Sequence, residues 1–262
     1  MKSVRPLVYA HRGGAALAPE NTVTAFDRGL ELGADGLELD VQLSKDDVPV
    51  VIHDPTLDRT TDAAGPVADR TAGELAGVDA GFRFAPDGHH PFRGRGIGIP
   101  SLPEVLARYP HTPMIVELKS SDLRLARHAA DAIRAAGATG HVTIGSFHQG
   151  ALDAVRAYAP EIRTGADMDE IKNGLDGRAG NGEKTPPSFQ SFQVPEVYAG
   201  VRIVTPTFVE RAHESGASVI VWTVDREDDI RRLLDWGVDA IITDRPDVAV
   251  LAVRRWYEER GR

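Results

Sequence analysis

The chain of 262 residues contains no cysteine, which removes disulfides, thiolate metal sites and a cysteine nucleophile from consideration. No apolar run is long enough to span a bilayer. The N-terminal Met1-Lys2-Ser3-Val4-Arg5-Pro6 leads into a short strand pattern rather than a signal-peptide core. A cytoplasmic protein without stable membrane insertion is expected. No basic block offsets the formal net charge of −9, so neither nucleic acid nor an anionic membrane is an expected partner. The nucleophile elbow G-x-S-x-G is missing around Ser146, and Gly94-x-Gly96-x-Gly98 neither follows a strand nor opens a helix. A serine hydrolase and a dinucleotide site are therefore disfavoured.

What is present, at 42% hydrophobic and 26% charged residues, is an ordinary globular composition. The alternation of patterns along it is regular. Strands are expected at Leu7–Ala10, Pro113–Lys119, His141–Phe147, Ile162–Met168, Phe189–Val194 (the poorest candidate), Ser218–Val224 and Ala240–Thr243. Gly36–Asp54 reads as a hairpin turning at Ser44–Asp47. Helices are expected between them. Asn21 is the predicted N-cap of a helix over Thr22–Leu32, and Asp225 that of a helix ending at Trp236. Counting the hairpin as one unit gives eight strand-then-helix units, the signature of an α/β fold of the (β/α)8 TIM-barrel type. An open doubly wound sheet is the structural alternative. Residues 55–100 are rich in Gly, Pro, Asp and Arg, and too long for a bare loop. They are expected to form a small inserted subdomain within a single barrel domain spanning residues 1–262.

In such a barrel the C-terminal ends of the strands carry the chemistry. Period-two alternation puts Glu38 and Asp40 on one face of the hairpin's first strand, and a tight turn would bring His53 opposite Asp40. His11 and Arg12 end the first strand, Glu117 and Lys119 share a face of the third, and Trp222 lies near the end of the seventh. Carboxylates clustered on apolar strands need a cation between them. An all-oxygen set suits one divalent cation, Mg²⁺ or Ca²⁺, better than zinc. Two histidines can serve as acid and base, while Arg12 and Lys119 offer donors to an anionic transition state. Together these parts point to metal-assisted hydrolysis of a phosphate ester. Asp244, followed by Pro246, reads as a helix start, and His53-Asp54 on its own as a turn pair. His89, His90, His128 and His141 read as structural or surface residues, and His148 as a weak candidate.

The motifs His11-Arg12-Gly13, Pro19-Glu20-Asn21-Thr22, Glu38-Leu39-Asp40-Val41 and His53-Asp54 resemble the glycerophosphodiester phosphodiesterase family. So do Leu57-Asp58-Arg59-Thr60-Thr61, Glu117-Leu118-Lys119 and Trp222-Thr223-Val224, in family order from about Val8 to Asp247. The resemblance implies a phosphodiesterase barrel like that of phosphatidylinositol phospholipases C. It also implies His11 and His53 as the acid–base pair, and Glu38, Asp40 and Glu117 as metal ligands. Arg12 and Lys119 would contact phosphate, and Trp222 would line the pocket. The implied substrate is a small glycerophosphodiester, cleaved to sn-glycerol 3-phosphate and an alcohol such as choline or ethanolamine. Two rivals stand beside it. One is a lysophospholipase D acting on acylated substrates, which needs an apolar groove between the insertion (Phe82, Phe84, Phe92) and the Asp169–Ser188 loop. The other is a silent phosphodiester-binding barrel. Because a barrel closes its own sheet, a monomer or a small homo-oligomer is expected.

Overall fold

Every barrel strand sorts its residues onto two faces, and the eight sets of faces agree. The computed structural model describes residues 5–175 and 188–260. Its elements, in chain order, are β1 (Leu7–His11), α1 (Val23–Glu31), β2 (Gly36–Leu43), β3 (Pro49–Val51), α2 (Ala72–Leu75), α3 (Leu102–Arg108) and β4 (Met114–Leu118). They continue as α4 (Leu123–Ala135), β5 (Val142–Gly145), α5 (Gln149–Tyr158), β6 (Arg163–Thr164), α6 (Met168–Leu175) and β7 (Ser191–Pro195). The short hairpin β8 (Val197–Tyr198) and β9 (Val201–Arg202) leads to α7 (Pro206–Glu214), β10 (Ser218–Trp222), α8 (Glu227–Asp235), β11 (Ala240–Thr243) and α9 (Pro246–Arg260).

The parallel strands pair in the order β6-β5-β4-β2-β1-β11-β10-β7. A parallel bridge from Gly165 to Ser191 joins the two ends, with Ala166 N–H donating to Ser191 O at 2.8 Å. Closure settles the alternative: the first barrel strand pairs with the last as well as the second, and the two ends of the path meet. The fold is an α/β TIM barrel, as expected.

Outward residues such as Leu37, Leu39, Val41, Val116 and Leu118 pack under α1, α3, α4 and α5. On the other half Val219, Val221 and Ile241 pack under α7, α8 and α9. The amphipathic pattern of α4 holds, since Leu125, Ala126, Ala129, Ala130 and Ile133 are all buried; burying one such Leu or Ile contributes roughly 1.5–3 kcal/mol. Inward residues Tyr9, Ile115, Ile220, Ala240 and Ile242 fill the barrel interior below the mouth. Residues 55–100 carry much of a separate cluster, in which Leu57, Val67, Leu75, Val78, Ala80 and Ile99 pack with Val50 and Ile52. That cluster is the ground on which we propose that they form an inserted subdomain.

Three local expectations are corrected. Thr22, not Asn21, caps α1 through its side chain; Asn21 sits at φ +58° and turns inward. Asp225 does not cap α8, whose N-cap is Arg226; its carboxylate accepts from Thr243 Oγ1 and Asp244 N, tying β11 to the β10–α8 loop. The sixth barrel strand, the poorest candidate, pairs with β10 over five residues. It is the fifth, β6, that shrinks to Arg163–Thr164.

The β1–α1 turn depends on Gly13, at φ +89°, where a Cβ would meet Ala25 Cβ at 2.6 Å. Gly13→Ala combines a left-handed backbone with a clash against helix backbone. We expect it to destabilise the protein by about 1–3 kcal/mol, read as a lower urea midpoint at unchanged slope.

Candidate active site

The inward positions at the C-terminal strand ends line a cavity of about 220 Å³. Its walls include His11, Arg12, Glu38, His53, Glu117, Lys119, Phe147, Met168, Gln193 and Trp222. The floor is shaped by a small residue: a Cβ at Gly145 would meet Gln193 Oε1 at 2.6 Å, so glycine there lets the amide lie across the barrel.

Neighbouring registers bring the acidic residues together. Asp40 pairs with Glu117 across β2 and β4, and His11 with Glu38 across β1 and β2. Glu38, Asp40 and Glu117 each present an oxygen within 4.8 Å of the others. Ligands held 2.0–2.6 Å from one hard cation can be no more than about 4–5 Å apart, so the spacing fits Mg²⁺ or Ca²⁺. Asp40 is fully buried and Glu38 nearly so. Asp40 is met by Arg12 Nε at 3.1 Å, Lys119 Nζ at 3.1 Å and Asn21 Nδ2 at 2.8 Å. Lys119 also lies 2.8 Å from Glu117 Oε1. Yet the buried atoms Asp40 Oδ1 and Glu117 Oε1 make no hydrogen bond at those angles. Both oxygens meet the Lys119 ammonium as ion pairs of poor hydrogen-bond geometry, and together with Glu38 they form a carboxylate group compact enough to hold a cation.

The electrostatics agree. Burial, then the nearby charge of Asp40, pushes the Glu38 carboxyl up to about 8, so this group resists ionisation until positive charge arrives. Burial works against the Lys119 ammonium, but Asp40 and Glu117 outweigh it and its pKa is raised.

Each of the two imidazoles has one nitrogen tied to a carboxylate. His11 Nδ1 lies 2.6 Å from Asp244 Oδ1, and His53 Nδ1 lies 2.6 Å from Asp54 Oδ1. Such pairing orients the ring, and with Nδ1 protonated it leaves Nε2 as the nitrogen for chemistry. Burial opposes charge on His11, but the Asp244 hydrogen bond and the charge of Glu38 prevail and hold its pKa above the usual histidine value. The Arg59 hydrogen bond, more than the His53 bond, holds Asp54 down at about 2.

The expected set of His11, Arg12, Glu38, Asp40, His53, Glu117, Lys119 and Trp222 gathers at one mouth, with Asp40 just beneath the cavity wall. One placement is corrected. In the hairpin Val41 faces Val51 and Gln42 faces Val50, so continuing that register sets Ile52, not His53, opposite Asp40. His53 follows the strand, and its carbonyl accepts from Gln42 Nε2 at 2.9 Å. Gln42 is two residues beyond Asp40 on the same face, a signal that alternation alone could have raised. Asp244 is a second correction, since it is more than a helix start and orients His11 from the eighth barrel strand's end. Asn21 is a third partner that motif reading left as a cap. His148 does not line the cavity, and its N–H is held by Ser146 Oγ.

The chain matches the family model of the glycerophosphoryl diester phosphodiesterases over residues 11–248. It is 36% identical over 259 residues to a glycerophosphodiester phosphodiesterase of Caldanaerobacter subterraneus subsp. tengcongensis, covering 96% of this chain and 99% of that protein. The structure is similar to a glycerophosphodiester phosphodiesterase from Agrobacterium tumefaciens str. C58, with a TM-score of 0.77 at 29% identity, covering 94% of this chain and 99% of that one. It is also similar to an Oleispira antarctica phosphodiesterase in complex with the product sn-glycerol 3-phosphate, with a TM-score of 0.74 at 25% identity, covering 95% and 97% of the two chains. No helix among the described residues is long and apolar enough to cross a membrane. With a family model matched over nearly its whole length and a relative of this identity, the chain belongs to the glycerophosphoryl diester phosphodiesterase family.

Proposed function

We propose that the protein hydrolyses small glycerophosphodiesters, such as glycerophosphocholine or glycerophosphoethanolamine, to sn-glycerol 3-phosphate and an alcohol. The observation that carries this reading is the pair of carboxylate-oriented imidazoles beside the Glu38–Asp40–Glu117 cluster. Those three residues would hold a divalent cation, which when bound supplies positive charge to polarise a phosphoryl oxygen. Arg12 and Lys119, both on the cavity wall, donate to the remaining phosphate oxygens and stabilise charge as it builds on phosphorus. One imidazole Nε2 takes the proton of the attacking oxygen. The other gives a proton to the alcohol oxygen as its bond to phosphorus breaks. Trp222, in edge-on contact with Phe147 at a centroid distance of 5.8 Å, packs against the carbon skeleton.

A second reading, turnover of acylated glycerophosphodiesters, draws on the apolar side of the cavity, where Phe147 is 48% exposed and Met168 and Ile171 stand nearby. The groove expected beside the 169–188 loop lies largely outside the described residues. Phe84 instead packs edge-on against Phe92, 5.5 Å away. Comparing kcat/KM on glycerophosphocholine and lysophosphatidylcholine decides between the readings, and we expect the short substrate to be preferred.

His53→Ala and His11→Ala should each lower kcat on glycerophosphocholine by about 10²–10⁴-fold, measured as release of glycerol 3-phosphate. Chelation should abolish turnover, and added Mg²⁺ or Ca²⁺ should restore it. Turnover indifferent to chelator would overturn the cation assignment, and a wild-type enzyme inactive on both substrates would favour a silent binding barrel.

The raised Glu38 also sets a pH dependence. Between 4.5, its ordinary value, and about 8, the folded cation-free protein keeps a proton that the unfolded chain has lost, so stability falls as pH rises. The raised His11 pKa acts in the same direction above the usual histidine range. The melting temperature in chelator should therefore drop from pH 6 to 8.5, and saturating cation should blunt that drop. An equal drop with and without cation would count against Glu38 as a ligand.

A further inference from the structure

The Leu57-Asp58-Arg59-Thr60-Thr61 stretch of the insertion has no part in the reaction as described, yet one of its side chains reaches both halves of the site. Arg59 Nε donates to Asp54 Oδ2 at 2.6 Å, and Nη2 reaches Asp54 Oδ1 at 3.2 Å. The same guanidinium donates through Nη1 to Glu20 Oε2 at 2.8 Å and through Nη2 to Glu20 Oε1 at 2.7 Å. Asp54 is the carboxylate on His53 Nδ1, and Glu20 accepts from Arg12 Nη1 at 2.9 Å. A continuous run of charge-assisted contacts thus links His53, Asp54, Arg59, Glu20 and Arg12, and passes on to Asp40.

Arg59 and Glu20 do not line the catalytic cavity. They line a neighbouring one of about 310 Å³, together with Phe84, between the insertion and the β1–α1 loop. Whatever they contribute to the reaction therefore passes through the residues they hold. The Arg59 side chain is 47% exposed, and at such exposure simple charge pairing adds little to stability. A planar fork gripping two carboxylates fixes direction as well as charge. His53 needs that service, because it lies on a loop beyond the hairpin strand, where no sheet bond sets its ring. We propose that Arg59 is a positioning residue for the phosphodiesterase reaction, holding Asp54 and Glu20 at once so that the His53 imidazole and the Arg12 guanidinium keep one fixed geometry across the insertion–barrel seam. The inference rests on the two-histidine reading above.

The test is a set of variants assayed with glycerophosphocholine and saturating cation, alongside thermal melting. Arg59→Ala is expected to lower kcat about 10- to 100-fold, the scale of a misplaced catalytic group, with KM changing less than about threefold. Arg59→Lys, which keeps charge but loses the fork, should recover only part of that loss. If Arg59 acts only through the two carboxylates it holds, adding Arg59→Ala to the Asp54→Ala, Glu20→Gln double variant should change kcat by less than about twofold. Glu20→Gln weakens the hold on Arg12 and one of the two anchors of Arg59 while leaving Asp54 paired, and is expected to lower kcat about 3- to 10-fold at unchanged melting temperature; it carries the test if Arg59→Ala does not fold. Wild-type kcat in Arg59→Ala, a further multiplicative loss when Arg59→Ala is added to the Asp54→Ala, Glu20→Gln pair, or a loss confined to KM would overturn the proposal. If His53→Ala retains full activity, the underlying acid–base reading fails instead, and the two failures are distinguished by that one variant.

Discussion

The mouth of the barrel is organised around the carboxylate of Asp40, a charge with no exposure to solvent. A buried ion survives only if its partners replace the water it has lost, and removing one such partner costs about 3–5 kcal/mol. Here the partners are Arg12, Asn21 and Lys119. Two of them take unusual backbone conformations to arrive: Arg12 at φ +51° and Asn21 at φ +58°. Left-handed backbone is uncommon outside glycine, and the Asn21 side chain compensates by clasping Asp40 twice, through its amide and through the Asp40 N–H. The β1–α1 turn is thus shaped by electrostatic demand from β2.

The same demand explains why the site is rich in pairs. Arg12 and Lys119, the donors assigned to phosphate, already answer to carboxylates, and both histidines do as well. Burial, and then the neighbouring charge of Asp40, leaves Glu38 protonated well above the usual range. A divalent cation held by the proposed ligands would relieve that strain and free the basic side chains to meet an anionic substrate. The acidic composition of the chain and its affinity for a phosphodiester are compatible on these terms, because the local field is set by a few groups in a small low-dielectric cavity.

Period-two alternation made much of this legible. Glu38 and Asp40 had to share a face, and so did Glu117 and Lys119; apolar spacing placed the buried side of α4 residue by residue. What alternation within one strand does not contain is register between strands. Asp244 meets His11 because β11 pairs with β1, a relation spanning most of the chain. Alternation alone puts His53 one position out of register, because the turn length, not the strand pattern, sets which residue it faces. Asn21 and Asp225 look like helix caps by type, and each was drawn elsewhere by a stronger partner: a buried carboxylate for Asn21, backbone and hydroxyl donors of the last barrel strand for Asp225.

The pairing of β1 with β11 has a further consequence for how the molecule comes into being. The first and last barrel strands lie at opposite ends of the sequence, and the contact between His11 and Asp244 exists only where they meet. A nascent chain can fold its early units and even gather Glu38, Asp40 and Glu117, since these lie on adjacent strands. It cannot orient His11 until the final unit docks. On the proposed two-histidine reading, catalytic competence is therefore acquired late, when the circle closes, and held only as long as it stays closed.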